Sequence, residues 1–132
     1  MIMAGELILI VEDNEKSRRL LRDILQANGY QTMESDTAEE GIQIAQKSLP
    51  ALVLMDIQLP GINGMEARLQ LRDDPKTRHI PVVAVTASAM LHDRSDIENA
   101  GFDAFQSKPI DINQILKLIR DLIDRPANGI DS

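Results

Sequence analysis

Cysteine is absent from this 132-residue chain. That excludes disulfides and thiolate metal sites, and it fits a reducing compartment. Tryptophan is absent too, and one tyrosine and two phenylalanines are too few for a base-stacking platform. No apolar stretch approaches the roughly 20 residues of a transmembrane helix. Met1 to Glu6 lacks the charged start and long apolar region of a signal peptide. Positive charge is in short supply: the formal net charge is -7. Phosphate backbones are held by clustered Lys and Arg, so a direct nucleic-acid partner is not expected. These absences together predict a cytoplasmic protein that binds neither membrane nor nucleic acid.

What is present is a globular composition, 43% hydrophobic, in a length that suits one domain. The stretch Leu52-Val53-Leu54-Met55-Asp56 is the centre of the pattern. Four apolar residues run without a break and end on a carboxylate. A run this short suits a strand buried on both faces in a parallel sheet. Such a strand delivers its last residue to the carboxyl edge, where open α/β sheets bind ligands. Pro60 and Gly61 mark the loop that follows.

The same design opens the chain: Leu7 to Val11 is apolar and ends on Glu12-Asp13. Asn14 caps a helix carrying Leu20, Leu21, Ile24 and Leu25, which Gly29 closes. Tyr30 to Glu34 reads as a short strand. Thr37 caps the next helix, with Glu40 completing a capping box. Ile42, Ile44 and Ala45 supply its buried side, and Pro50 stops it. After the Asp56 strand, Gly64-Met65 opens a helix that runs to about Asp73. Pro81 to Thr86 is the fourth strand, and a helix from about Met90 to Asn99 follows. Ala104 to Ser107 is the fifth strand. The last helix starts after Asp111 and carries Ile112, Ile115, Leu116, Ile119, Leu122 and Ile123. Arg125-Pro126 ends it before a frayed tail.

Five strands alternating with five helices predict a doubly wound α/β fold around a parallel sheet. The expected strand order is 2-1-3-4-5, the flavodoxin-like arrangement, with its switch point between strands one and three. The strand ends then converge. Strand one brings Glu12 and Asp13, strand three Asp56, strand four Thr86 and strand five Lys108. Three acids without a cation repel and raise at least one pKa. A hard divalent ion relieves this, and Mg²⁺ takes oxygen ligands. His79 and His92 read as a loop residue and a helix-surface residue, neither with a second ligand at metal spacing. A carboxylate beside Mg²⁺ can attack a phosphoryl group. The incoming oxygens would be held by the ion, by Lys108 and by the Thr86 hydroxyl.

With these residues in place the chain resembles a response-regulator receiver domain of the chemotaxis and single-domain cell-cycle type. The motifs are Ile10-Val11-Glu12-Asp13-Asn14, Leu54 to Pro60 with Gly64 beyond, Val85-Thr86-Ala87 and Ser107-Lys108-Pro109. The resemblance covers residues 6–124, with 125–132 as a short tail. It implies Asp56 as phosphoacceptor and Glu12 and Asp13 as the acidic pair holding Mg²⁺. It implies that the Gln58 main-chain carbonyl completes the metal shell and that Lys108 is the family's lysine. It also implies Thr86 as switch hydroxyl and Phe105 as switch aromatic. Phosphorylation would draw Thr86 inward, turn Phe105 and re-pack the surface of the fourth helix, fifth strand and fifth helix. Ala89, Met90 and Leu91 suit either that partner surface or the core. Phe replaces Tyr at the aromatic position, so no hydroxyl is available there.

The expected function is a phosphoacceptor response regulator in a two-component system or phosphorelay. It would be loaded by a sensor histidine kinase or histidine phosphotransfer protein, act on a downstream protein, and be a monomer or weak dimer. Met1 and the short tail suggest a single-domain protein; a receiver excised from a hybrid kinase would look the same. A turnover phosphatase is the rival. It usually carries a general acid two residues after the nucleophile, and Gln58 cannot serve. A flavodoxin-like cofactor binder would need a Gly-rich phosphate loop where Glu12-Asp13-Asn14 stands.

Overall fold

The computed structural model describes residues 5–87, 97 and 99–124. The strands are β1 (Leu7–Val11), β2 (Gln31–Ser35), β3 (Leu52–Asp56), β4 (Val82–Thr86) and β5 (Ala104–Ser107). The helices among the described residues are α1 (Glu15–Ala27), α2 (Ala38–Ser48), α3 (Gly64–Asp73) and α4 (Ile112–Asp124). The expected helix near Met90 to Asn99 falls almost wholly outside the described residues, as do Ala89, Met90, Leu91, His92 and the tail.

All neighbouring strands pair in parallel, in the order β2-β1-β3-β4-β5. Successive side chains of a strand point to opposite faces, so the apolar runs build two cores. Leu9, Val11, Val53, Met55, Val82 and Ala84 lie in one core with residues of α2 and α3. Ile8, Ile10, Leu52, Leu54, Val83 and Val85 lie in the other with residues of α1 and α4. β1, β3 and β4 are therefore closed to water on both sides, and only their carboxyl ends are left for polar chemistry.

The helix caps follow the sequence with informative exceptions. Asn14 accepts from the Ser17 N–H at 2.9 Å and starts α1. Thr37 Oγ1 accepts from the Glu40 N–H at 3.2 Å, but the return half of the expected capping box is not made. The Thr37 N–H goes to Ser35 Oγ, and Glu40 Oε1 accepts from that same hydroxyl at 3.1 Å. Ser35, buried at the end of β2, takes the role assigned to Glu40. Leu20, read as part of the apolar face of α1, is 45% exposed. The last turn of α2 closes through Leu49, whose φ of 48° is left-handed.

Two buried polar residues brace the framework. Arg68 of α3 donates from Nε to the Gly101 carbonyl at 2.8 Å and lies 3.6 Å from Asp103. Thr77 donates its hydroxyl to the Leu71 carbonyl at 2.7 Å, capping the end of α3.

Candidate functional site

The carboxyl ends of β1, β3, β4 and β5 meet at one edge of the sheet. Register sets this: Asp56 pairs with Val85, and Thr86 with Ser107, so Lys108 follows one residue beyond Thr86. The Lys108 N–H donates to the Thr86 carbonyl at 2.9 Å and carries the β4–β5 ladder past the end of the strands. The Lys108-Pro109 peptide is cis.

Carboxylate oxygens of Glu12, Asp13 and Asp56 lie within 4.8 Å of one another. Glu12 and Asp56 are buried, and Asp13 is exposed. Asp56 Oδ1 accepts from the Gln58 N–H at 3.0 Å, and Oδ2 accepts from Lys108 Nζ at 3.3 Å. Glu12 Oε2 accepts from the Asn14 N–H at 3.0 Å. Glu12 Oε1 touches Lys108 Nζ at 2.7 Å, off the hydrogen-bond direction, so this buried oxygen accepts no hydrogen bond. Thr86 is fully buried at the end of β4, and Phe105 is half-buried against the core that holds Met55 and Ala84.

Burial pushes the Glu12 carboxyl above its usual range, and the Asp56 charge adds to this; Lys108 and the Asn14 N–H pull the other way. Burial also works against the Lys108 ammonium, but the attraction of Glu12 and Asp56 outweighs it and the pKa rises. Lys108 therefore stays charged and serves as an internal counterion for two buried acids.

The donor set fits a small hard cation. It offers oxygen alone, and its two buried carboxylates are offset by the single ammonium of Lys108. The loop after Asp56 is tightly set. The Gly64 N–H donates to the Ile57 carbonyl at 2.9 Å. A Cβ on Gly64 would strike the Asp56 carbonyl oxygen and lie 2.8 Å from Ile57 Cα. Glycine there lets α3 start directly against the strand that carries Asp56.

Of the residues singled out in the sequence, Glu12, Asp13, Asp56, Gln58, Thr86 and Lys108 lie at the strand ends of this edge. Glu12, Asp13, Asp56 and Lys108 come together directly. Gln58 is exposed and engages Asp56 through its N–H. Arg18 was missed. Its Nη1 donates to the Glu12 carbonyl at 2.9 Å, and its Nε donates to Glu34 at 3.2 Å. The only sequence trace of that role is a basic residue one turn into the helix that follows the acidic pair.

Comparison with known proteins agrees with this geometry. The family model of the response regulator receiver domain matches residues 8–120. The polar-differentiation response regulator DivK of Brucella ovis is 43% identical over 113 residues, spanning 86% of this chain and 92% of that protein. Among solved structures, the receiver domain of sensor histidine kinase PA1611 from Pseudomonas aeruginosa, with a magnesium ion coordinated in its active site cleft, superposes with a TM-score of 0.85. It is 28% identical and covers 91% of this chain and 98% of its own. A CheY-like receiver domain protein from Methanospirillum hungatei gives a TM-score of 0.86 at 28% identity, covering 95% and 98%. No helix among the described residues is long and apolar enough to cross a membrane. The chain belongs to the response regulator receiver domain family, the phosphoaccepting modules of two-component signalling.

Proposed function

We propose that Asp56 is the phosphoacceptor and that Glu12, Asp13, Asp56 and the Gln58 main-chain carbonyl hold Mg²⁺. The observation that carries this reading is the meeting of three carboxylates and one ammonium at the ends of separate strands. Bound Mg²⁺ would neutralise the acids and clamp one phosphoryl oxygen. Asp56 supplies the nucleophilic oxygen. It attacks phosphorus as the P–N bond to a kinase's or phosphotransfer protein's histidine breaks, and an acyl phosphate forms. Lys108, already at 3.3 Å from Asp56 Oδ2, stabilises a second phosphoryl oxygen. The Thr86 hydroxyl, buried at the adjacent strand end, donates to a third.

Output follows from the same contacts. Drawing Thr86 toward the phosphoryl group vacates space beside half-buried Phe105, whose new rotamer alters the surface around β5 and α4 for a downstream protein. A receiver of this kind is a switch and not a turnover enzyme. Gln58 offers no proton for a phosphatase cycle.

The test is direct. Incubation with Mg²⁺ and a small acyl-phosphate donor, followed by intact-mass measurement, gives a single phosphoryl adduct on the wild type and none on Asp56→Ala. Rapid donor turnover without an adduct would overturn the reading.

A further inference from the structure

Arg18 reaches the acidic pair through the backbone. Its Nη1 donates to the Glu12 carbonyl at 2.9 Å. Its Nε is engaged at the same time by Glu34 Oε1 of β2 at 3.2 Å. Arg22, one turn further along α1, stands 3.5 Å from Glu34 Oε2 and holds that carboxylate from its other side. Arg18 and Glu34 are both largely shielded from water, with side chains 20% and 29% exposed.

The carbonyl that Arg18 grips belongs to the peptide linking Glu12 to Asp13. A peptide is planar and turns as a unit, so a hydrogen bond to its oxygen restricts ψ of Glu12 and φ of Asp13, the two rotations that aim the carboxylates. The Glu12 N–H is fixed as well, on the Ser35 carbonyl of β2 at 3.0 Å. The two residues of the acidic pair are thus oriented from behind by a guanidinium fork spanning β1, α1 and β2. A planar guanidinium suits this better than an ammonium, because its donors are held at fixed angles and lose less freedom in serving two acceptors together.

We propose that Arg18 is a positioning residue of the receiver site: by locking the Glu12–Asp13 peptide it pre-orients both carboxylates for the cation. This rests on the Mg²⁺ reading given above. It also makes a prediction opposite in sign to simple electrostatics. Arg18 is a positive charge close to a cation site, so by its field alone its removal would tighten Mg²⁺ binding. As a positioning group, its removal weakens binding, as loss of an outer-shell support does at metal sites.

The experiment measures Mg²⁺ affinity by calorimetry on the full chain, without any phosphoryl donor, for wild type, Arg18→Lys, Arg18→Ala and Asp13→Asn. Arg18→Lys keeps the charge and loses the fork, so its affinity falls about tenfold or more. Arg18→Ala falls at least as far although a repelling charge has gone. Circular dichroism and thermal unfolding establish that each variant is folded at the titration temperature; if Arg18→Ala is not, Arg18→Lys alone decides. Wild-type affinity in Arg18→Lys, or tighter binding in Arg18→Ala, overturns the proposal. Asp13→Asn separates the two levels. If it binds Mg²⁺ as the wild type does, the metal-site reading fails; if it loses binding while both Arg18 variants keep it, only the role of Arg18 fails.

Discussion

The Lys108 ammonium rests 2.7 Å from Oε1 of Glu12, a buried carboxylate oxygen with no hydrogen bond of its own. A cation entering between the acids must compete with that ammonium for Glu12. On the proposed reading, Lys108→Met removes the competitor and one phosphoryl-stabilising charge together. Mg²⁺ affinity therefore rises a few-fold, while the rate of adduct formation on Asp56 falls by about tenfold or more. Calorimetry and time-resolved intact mass read the two effects separately, and a parallel fall in both would contradict this account.

Gly64 is expected to tolerate no side chain. Both atoms that its Cβ would meet, the Asp56 carbonyl oxygen and Ile57 Cα, are backbone and cannot step aside by changing rotamer. Gly64→Ala should cost about 1–3 kcal/mol in urea unfolding, the range of core overpacking. It should also slow phosphoryl transfer, because the displaced segment carries Asp56.

Leu49 offers the reverse case. It holds a left-handed φ of 48° without the freedom of glycine, and it is 55% exposed, so truncation loses little burial. Leu49→Gly should raise stability by about 0.5–1 kcal/mol, seen as a higher Tm with the Mg²⁺ affinity unchanged. A lower Tm would mean that the leucine side chain contributes more packing than its exposure implies.

Tyr30 reports on alkaline stability. Burial raises its phenol pKa, with the Glu6 and Asp124 charges adding and Arg120 opposing. A folded value above the unfolded one, about 10, means that the contribution is present below pH about 10 and is lost as pH rises through the folded value. This is the sole tyrosine of a chain without tryptophan, so near-ultraviolet phenolate absorption follows it without interference. The midpoint in the folded protein should exceed that in denaturant; coincident midpoints would show that the ring is open to water.

The central strands were legible because they obey one rule. Leu7 to Val11, Leu52 to Met55 and Val82 to Val85 are unbroken apolar runs, and a parallel sheet covered on both faces demands that pattern. The site was legible for a related reason: a charged or hydroxyl residue ending such a run has only the sheet edge to occupy. Edge strand β2, with the sequence QTMES, lacks the run, and its position was read one residue early. Arg68 and Thr77 were illegible. The burial of a guanidinium or a hydroxyl depends on partners such as the Gly101 and Leu71 carbonyls, which only tertiary structure supplies. The capping box failed likewise, since Ser35 was too near the strand to look like a competitor for the α2 cap.

The parallel order β2-β1-β3-β4-β5 has a bearing on biosynthesis. Glu12, Asp56, Thr86 and Lys108 end or directly follow four strands, and the last of these strands, β5, is an edge of the sheet. A nascent chain that has not yet emerged past residue 108 can bury much of its core and still lack the ammonium that balances its acids. On the proposed reading the site is complete only once the outermost strand has paired, because the ammonium that offsets Glu12 and Asp56 arrives with the residue after β5.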